Sequence, residues 1–431
     1  MGKSKDLGGI YKPRIADELL KLKLDAMGAV LIEGPKACGK TTTAAKLAAS
    51  AIYMDDPRNA AQYLQMSDTD PQLLLEGDTP RLIDEWQTAP KLWDAVRYAV
   101  DRRNEDGQFI LTGSAVPADK RNIRHTGTGR FAWLTMRPMT LWESGESNGG
   151  ISLTELMRGT PNPRSASKMT LKELAFVTCR GGWPRAVLRD GLRALTQARE
   201  YFEAIVRSDI SRADGVVRSE HIARRLMRAY ARHQGTQASL KTIMEDVTAG
   251  GEDSSSDTTM AAYINALRQI FVIEDMPAWN PNLRSKTAIR TSDTRYFTDP
   301  SVAAAALGIG PDDLINDLAT FGLLFETLAV RDLRVFADAM GGGVFHYRDK
   351  AGLECDAVVH LRNGNYGLIE IKLGGERLIE EGASTLLSLA GKIDTSKMNA
   401  PRFMMVLTGV APFAYRRADG VIVAPIDTLR P

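Results

Sequence analysis

Five short apolar runs punctuate roughly the first 140 residues: Ala29–Glu33, Ile52–Met54, Arg81–Asp84, Phe109–Thr112 and Phe131–Thr135. Helix-like stretches separate most of them, among them the alanine-rich Thr42–Ser50. Strands alternating with helices predict an α/β layer built on a parallel sheet. Polar breaks follow at Ser144–Gly150 and across residues 159–168. Leu171–Arg232 then reads as helical and arginine-rich, interrupted at Gly181-Gly182-Trp183-Pro184. His221–Gly235, Leu240–Val247 and Met260–Ile270 read as helices and Phe271–Met276 as a strand, with a low-complexity acidic loop at residues 249–259. From Phe321 a helix leads into the strand-like segments Leu353–Val359 and Gly367–Lys372, a second α/β pattern. No internal repeat is visible.

Length and composition narrow the classes. A chain of 431 residues exceeds one ordinary core and predicts two to four domains. Apolar content of 44% and charged content of 25% are those of a globular protein, and a formal charge of +2 gives no broad basic footprint. Cys38, Cys179 and Cys355 are isolated and lack metal-ligand spacing. Without a signal-type start or a long apolar run, the expectation is a cytoplasmic protein with no membrane span.

The chemistry concentrates first at residues 34–41. Gly34-Pro35-Lys36-Ala37-Cys38-Gly39-Lys40-Thr41 fits G-x-x-x-x-G-K-[ST], directly after a strand and before a helix that begins near Thr42. In that context backbone N–H groups wrap a polyphosphate at the positive end of the helix. Lys40 is expected on the β- and γ-phosphates and the Thr41 hydroxyl on Mg²⁺. Leu82-Ile83-Asp84-Glu85 supplies the other two requirements of an ATPase: Asp84 to hold the metal and Glu85 to polarise the lytic water. Thr112 and Ser114, at the carboxyl end of the next strand, are candidates to touch the γ-phosphate or that water. Arg130, after the loop Thr126–Gly129, could neutralise phosphoryl charge from the same chain or a neighbour, which implies a homo-oligomer; Arg137 is a weaker candidate for that role. No Asn-Lys-x-Asp guanine reader is visible, which favours ATP.

The middle and the C-terminus carry two further constellations. Arg224, Arg225, Arg228 and Arg232 lie along one helix. Helices followed by a strand and a wing fit a winged helix, with the arginines on DNA phosphates or on a solvated packing face. Farther on, Asp356, Glu370 and Lys372 match the needs of a metal nuclease, two acids for Mg²⁺ and a lysine near the water, with Glu326 as an accessory acid. By spacing alone, a Glu–Lys pair satisfying itself across a sheet fits equally well. The nuclease reading demands a particular register. If Asn363-Gly364 formed a two-residue turn, Ala357 would oppose Glu370, so a three-residue loop or a bulge is needed to bring Asp356 beside Glu370.

Gly34–Thr41, Leu82–Gln87, Leu111–Ser114, Gly129-Arg130 with Arg137–Thr140, Gly181–Pro184, Tyr263–Leu267, Tyr296–Asp299 and the C-terminal acids together resemble the AAA-type prokaryotic ATPases that carry a functionally unassigned C-terminal domain. The resemblance spans nearly the whole chain. It implies a P-loop ATPase at residues 1–148, a helical linker or lid at 149–215, a winged-helix-like domain at 216–300 and a restriction-endonuclease-like α/β domain at 301–431. The acidic loop departs from the family's compact middle domain. The expected function is a Mg-dependent ATPase whose nucleotide state controls a nuclease-like, DNA-interacting domain. The alternative is a nucleotide-gated switch that binds a protein partner through a catalytically inactive C-terminal domain.

Overall fold

The five apolar runs of the N-terminal segment do pair as one parallel sheet. The computed structural model describes residues 11–115, 126–159, 163–248, 257–280 and 292–431. Their contacts form two compact units, one from the described parts of Met1–Arg137, Ser208–Arg218 and Asn265–Phe271, the other from those of Pro138–Arg207, Ser219–Ile264 and Val272–Pro431.

The first unit runs α1 (Ile15–Leu24), β1 (Ala29–Glu33), α2 (Lys40–Leu47), β2 (Ser50–Tyr53), α3 (Ala60–Thr69), β3 (Arg81–Asp84), α4 (Lys91–Arg103), β4 (Phe109–Gly113) and β5 (Phe131–Thr135). The strand order is β2-β3-β4-β1-β5, with every neighbouring pair parallel. β3 and β4 are buried throughout and β1 nearly so, as expected of strands covered on both faces, which read as unbroken apolar runs. β5 is an edge strand and only partly covered: Phe131 and Leu134 are buried while Trp133 is exposed. Trp93 stacks on Phe131 at 3.9 Å and closes the core against α4. The predicted helix Thr42–Ser50 ends early, at Leu47, because Ala48 turns extended and Ser50 already begins β2.

The remaining chain begins with α5 (Leu141–Ser144), β6 (Ile151–Ser152), α6 (Leu153–Met157), β7 (Ser165–Ala166), α7 (Leu171–Arg180), α8 (Pro184–Val187) and α9 (Gly191–Ala204). A π-helical stretch, Ile205–Asp209, leads to α10 (Ile210–Arg212), α11 (Glu220–Arg232), α12 (Leu240–Thr248) and α13 (Asp257–Gln269). The helical break at residues 181–184 has a local cause: Gly181 takes a positive φ of 72° and Pro184 opens α8. The predicted strand Phe271–Met276 reduces to isolated bridges from Ile273 to Phe297 and from Met276 to Thr294. Phe271 sits at φ +58°, outside strand geometry. Most of the acidic loop (249–256) and residues 281–291, after the expected strand, lie outside the described residues.

The C-terminal part comprises α14 (Pro300–Leu307), α15 (Pro311–Asn316), α16 (Leu318–Ala339), β8 (Gly342–Arg348), β9 (Glu354–Leu361), β10 (Tyr366–Lys372), α17 (Glu376–Lys392), β11 (Phe403–Thr408), β12 (Phe413–Arg416), β13 (Ile422–Pro425) and β14 (Leu429–Arg430). β8, β9 and β10 form an antiparallel meander; α17 then crosses over so that β11 and β13 run parallel to β10. Tyr366 pairs with His360 and Ile369 with Ala357, so the continuing register sets Glu370 opposite Asp356. The connection is the three-residue loop Arg362-Asn363-Gly364, closed by the Leu361 N–H to the Asn365 carbonyl at 2.8 Å. Gly364 adopts φ +82°, the left-handed turn such a loop needs.

Candidate functional site

Backbone conformation builds the first site. After β1 the chain turns through Gly34 (φ +148°), Ala37 (φ +61°) and Gly39 (φ +107°) before α2 starts at Lys40. At Gly34 a side chain is excluded twice, since a Cβ would also lie 2.1 Å from the Met136 carbonyl oxygen. Lys40 folds back over the loop and donates from Nζ to the Gly34 and Pro35 carbonyls at 2.9 and 2.8 Å. Pro35 and Cys38 are buried, Lys36 and Ala37 exposed, and Thr42 half-buried on α2.

β4 is inserted between β1 and β3, so its carboxyl end lies beside both the loop and the acids. Thr41 Oγ1 donates to Asp84 Oδ1 at 2.7 Å, and Thr112 Oγ1 donates to the same oxygen at 2.5 Å. Burial pushes the Asp84 carboxyl above its ordinary value, and the two hydroxyls partly offset this. Glu85 follows in the left-handed region at φ +55°. Its Oε2 accepts from Ser114 Oγ at 2.9 Å and from Gln87 Nε2. Lys40, Thr41, Asp84, Glu85, Thr112 and Ser114 therefore converge on one rim.

Arg130 does not join them within this chain. It precedes β5, whose Phe131 aligns with Ala29 at the start of β1. The phosphate loop follows the other end of β1, five residues on, roughly 16 Å at the usual rise per residue. There Arg130 pairs with Asp101 at 2.6 Å. Any contact with a phosphate would have to come from a neighbouring chain.

Three contributors were missed by the sequence reading. Arg14, before α1, is buried and donates to the Cys38 and Arg137 carbonyls at 2.7 Å each, bracing the loop against the end of β5. Lys36 pairs at 2.6 Å with Asp209, a residue far along the chain and 7% exposed. Gln87 holds Glu85 from the next turn. Only Gln87 lay near a motif; nothing in spacing ties Arg14 or Asp209 to the loop.

At the C-terminal cluster Lys372 lies between the acids, 2.6 Å from Glu370 Oε2 and 3.0 Å from Asp356 Oδ2. Asp356 Oδ2 also accepts from the Ile371 N–H at 2.7 Å. Glu370 is 4% exposed, and its Oε1 has no hydrogen-bond partner. Burial, then the Asp356 charge, push its carboxyl up to about 8, against the pull of Lys372. Glu326, on α16, bonds the Tyr296 hydroxyl and is raised well above its ordinary value by burial and then by Asp356. Asp356 and Glu370 thus share one ammonium, while Glu326 accepts from Tyr296. Among the described residues no group of three His, Cys, Asp or Glu side chains is placed to hold a metal ion.

The α11 arginines are largely engaged. Arg224 makes a two-pronged bond to Glu203 at 2.6 and 2.9 Å, Arg225 donates to the Val247 carbonyl, and Arg232 pairs with Asp246 at 3.5 Å. Arg228 is exposed. These partners lie within the helical segment. Cys38, Cys179 and Cys355 are free and buried. No helix among the described residues is long and apolar enough to cross a membrane.

Residues 27–144 match the model of an AAA domain, which marks this segment as an ATPase-like domain. Residues 171–313 and 321–429 match two domains of unknown function, DUF8612 and DUF4143. The chain is similar to the uncharacterized protein Rv2008c of Mycobacterium tuberculosis and to Mb2031c of Mycobacterium bovis, each 24% identical over 97% of this chain and 85% of the relative. Among solved structures, a Walker-type ATPase of Pyrococcus abyssi aligns with a TM-score of 0.42 at 14% identity, covering 67% of this chain and 94% of that one. The ORC2 protein of Aeropyrum pernix aligns with a TM-score of 0.34 at 13% identity, covering 70% and 94%. Both structural likenesses are weak, and the ATPase assignment rests on the AAA match and the phosphate-loop geometry.

Proposed function

We propose that the chain hydrolyses Mg-ATP at the rim formed by the phosphate loop and the carboxyl ends of β3 and β4. The observation that carries this is the shared oxygen of Asp84, which takes hydrogen bonds from both Thr41 and Thr112 while Glu85 is oriented next to it by Ser114 and Gln87. The donor set fits Mg²⁺: a hydroxyl that starts a helix and a buried carboxylate, all hard oxygen ligands. Thr41 and Asp84 would hold the ion, which when bound neutralises phosphate charge. Lys40 exchanges two carbonyl partners for phosphate oxygens. Loop N–H groups at the start of α2 bind the polyphosphate. Glu85 accepts a hydrogen bond from the attacking water and orients it, and Ser114 and Gln87 hold that carboxylate in place. The test is Glu85→Gln: ATP binding is retained and turnover falls roughly 10²- to 10⁴-fold, the range for a positioned base. Unchanged turnover would remove Glu85 from the mechanism.

For the C-terminal sheet we propose a nuclease-like domain with DNA as ligand, in which nucleotide state governs access to Asp356, Glu370 and Lys372. The unpartnered Glu370 Oε1 supports a cation or water there. The Lys372 bridge supports the other reading, a catalytically inactive domain that binds a protein partner. Incubation of the full chain with Mg²⁺ or Mn²⁺ and DNA, beside Asp356→Ala, separates them. Cleavage lost in the variant supports the nuclease, and no cleavage supports the switch.

A further inference from the structure

We infer that Asp209 is a positioning residue of the nucleotide site, acting through Lys36. The phosphate loop carries two lysines with different partners. Lys40 bonds carbonyls of the loop itself, whereas the Lys36 ammonium is held 2.6 Å from the Asp209 carboxylate. The two are 173 positions apart in sequence, so the contact is a tertiary choice and not a neighbour effect. Lys36 is 45% exposed at its side chain and Asp209 only 10%, so the acid is the fixed partner and the lysine the one free to leave.

Asp209 is also well anchored. It closes the π-helical stretch Ile205–Asp209, a geometry that concentrates at functional sites. The following turn is cross-braced: Arg218 donates to the Ile210 carbonyl at 2.8 Å and grips Asp214 through two contacts of 2.6 Å. Asp209 is thus presented to the loop by a stiff segment.

A triphosphate entering the loop changes both sides of this pair. Its oxygens compete for the Lys36 ammonium and repel the Asp209 carboxylate. Lys36 moves to phosphate and leaves a buried acid without its cation, a cost that weakens ATP binding and loosens the seat of Ser208–Arg218. Nucleotide binding and the seating of that segment therefore oppose each other through one ion pair, with reciprocal strength. The inference rests on nucleotide binding at Gly34–Thr42.

The experiment measures ATP and AMP affinity for the full chain, for Asp209→Asn, Asp209→Glu and Lys36→Ala, and for Asp209→Asn combined with Lys36→Ala. Asp209→Asn is expected to tighten ATP roughly fivefold, the scale of a partly exposed ion pair and of modest coupling. AMP, which lacks the β- and γ-phosphates, is unaffected, Asp209→Glu stays near the parent, and the gain vanishes in the Lys36→Ala background. Unchanged or weaker ATP binding by a folded Asp209→Asn overturns the inference, as does the same gain without Lys36. Should Asp209→Asn fail to fold, hydrogen exchange of the parent decides: ATP but not AMP accelerates exchange at Ser208–Ala213, and equal exchange is the contrary result. Failure of any ATP binding by the parent chain defeats the nucleotide reading itself, a different outcome from these.

Discussion

Arg14 illustrates how a single side chain holds a site it never touches chemically. Its guanidinium braces two carbonyls, Cys38 in the loop and Arg137 after β5, from a buried position. Hydrogen bonds to a charged donor are worth about 1.5–3 kcal/mol each when buried partners are left unmet. Arg14→Ala is therefore expected to lower stability by about 3 kcal/mol and to weaken ATP binding, as read by denaturant unfolding and nucleotide titration. Glu370 gives a pH prediction. Its folded carboxyl lies at about 8 against an ordinary 4.5. The folded state thus binds the proton more tightly, so its stabilising contribution is complete below about 4.5 and is lost as pH rises through about 8. Unfolding measured across pH 5–9 should show declining stability in the parent and a flatter profile in Glu370→Gln; parallel profiles would contradict the buried-proton account. The motif residues were legible in sequence because the phosphate loop is a local pattern of fixed spacing. Arg14 and Asp209 were not, since long-range partners of a loop leave no periodicity.

Elements follow from patterning where one face is decisive, and fail where conformation is set by single residues. β1, β3 and β5 match the apolar runs to the residue, and β1 is the buried, mainly apolar run expected of a central parallel strand. The helix after the loop is shorter than its alanine content predicts, because Ala48 turns extended ahead of β2. Phe271–Met276 has strand composition, but the left-handed Phe271 and the isolated bridges limit it. The hairpin between β9 and β10 offers a sharp test. Its three-residue loop sets Asp356 opposite Glu370, and removing one residue moves Asp356 to the other face. Deletion of Gly364 should break the Lys372 contact with Asp356 and destabilise the sheet. A deletion variant with parental stability would contradict the register. Gly367 is equally constrained, since a Cβ there would lie 2.2 Å from the Phe403 ring. Gly367→Ala is expected to cost about 1–3 kcal/mol through overpacking.

At the scale of the chain, one AAA-matching segment and two segments of unassigned function lie in series over residues 27–429. Arg130 sits away from the loop in its own chain, so a phosphoryl-stabilising role requires a second copy. Mass measured with and without ATP should then show nucleotide-dependent assembly, and a monomer in both states would leave Arg130 as a surface ion pair. Coupling between the segments requires that the loop take a nucleotide. Equilibrium titration of ATP with Mg²⁺ into the full chain and into Lys40→Ala tests that most directly. The expected result is saturable binding that weakens about 100-fold in the variant, near 3 kcal/mol for a charge-assisted phosphate contact. Equal affinity of the two proteins, or no binding by either, would contradict it.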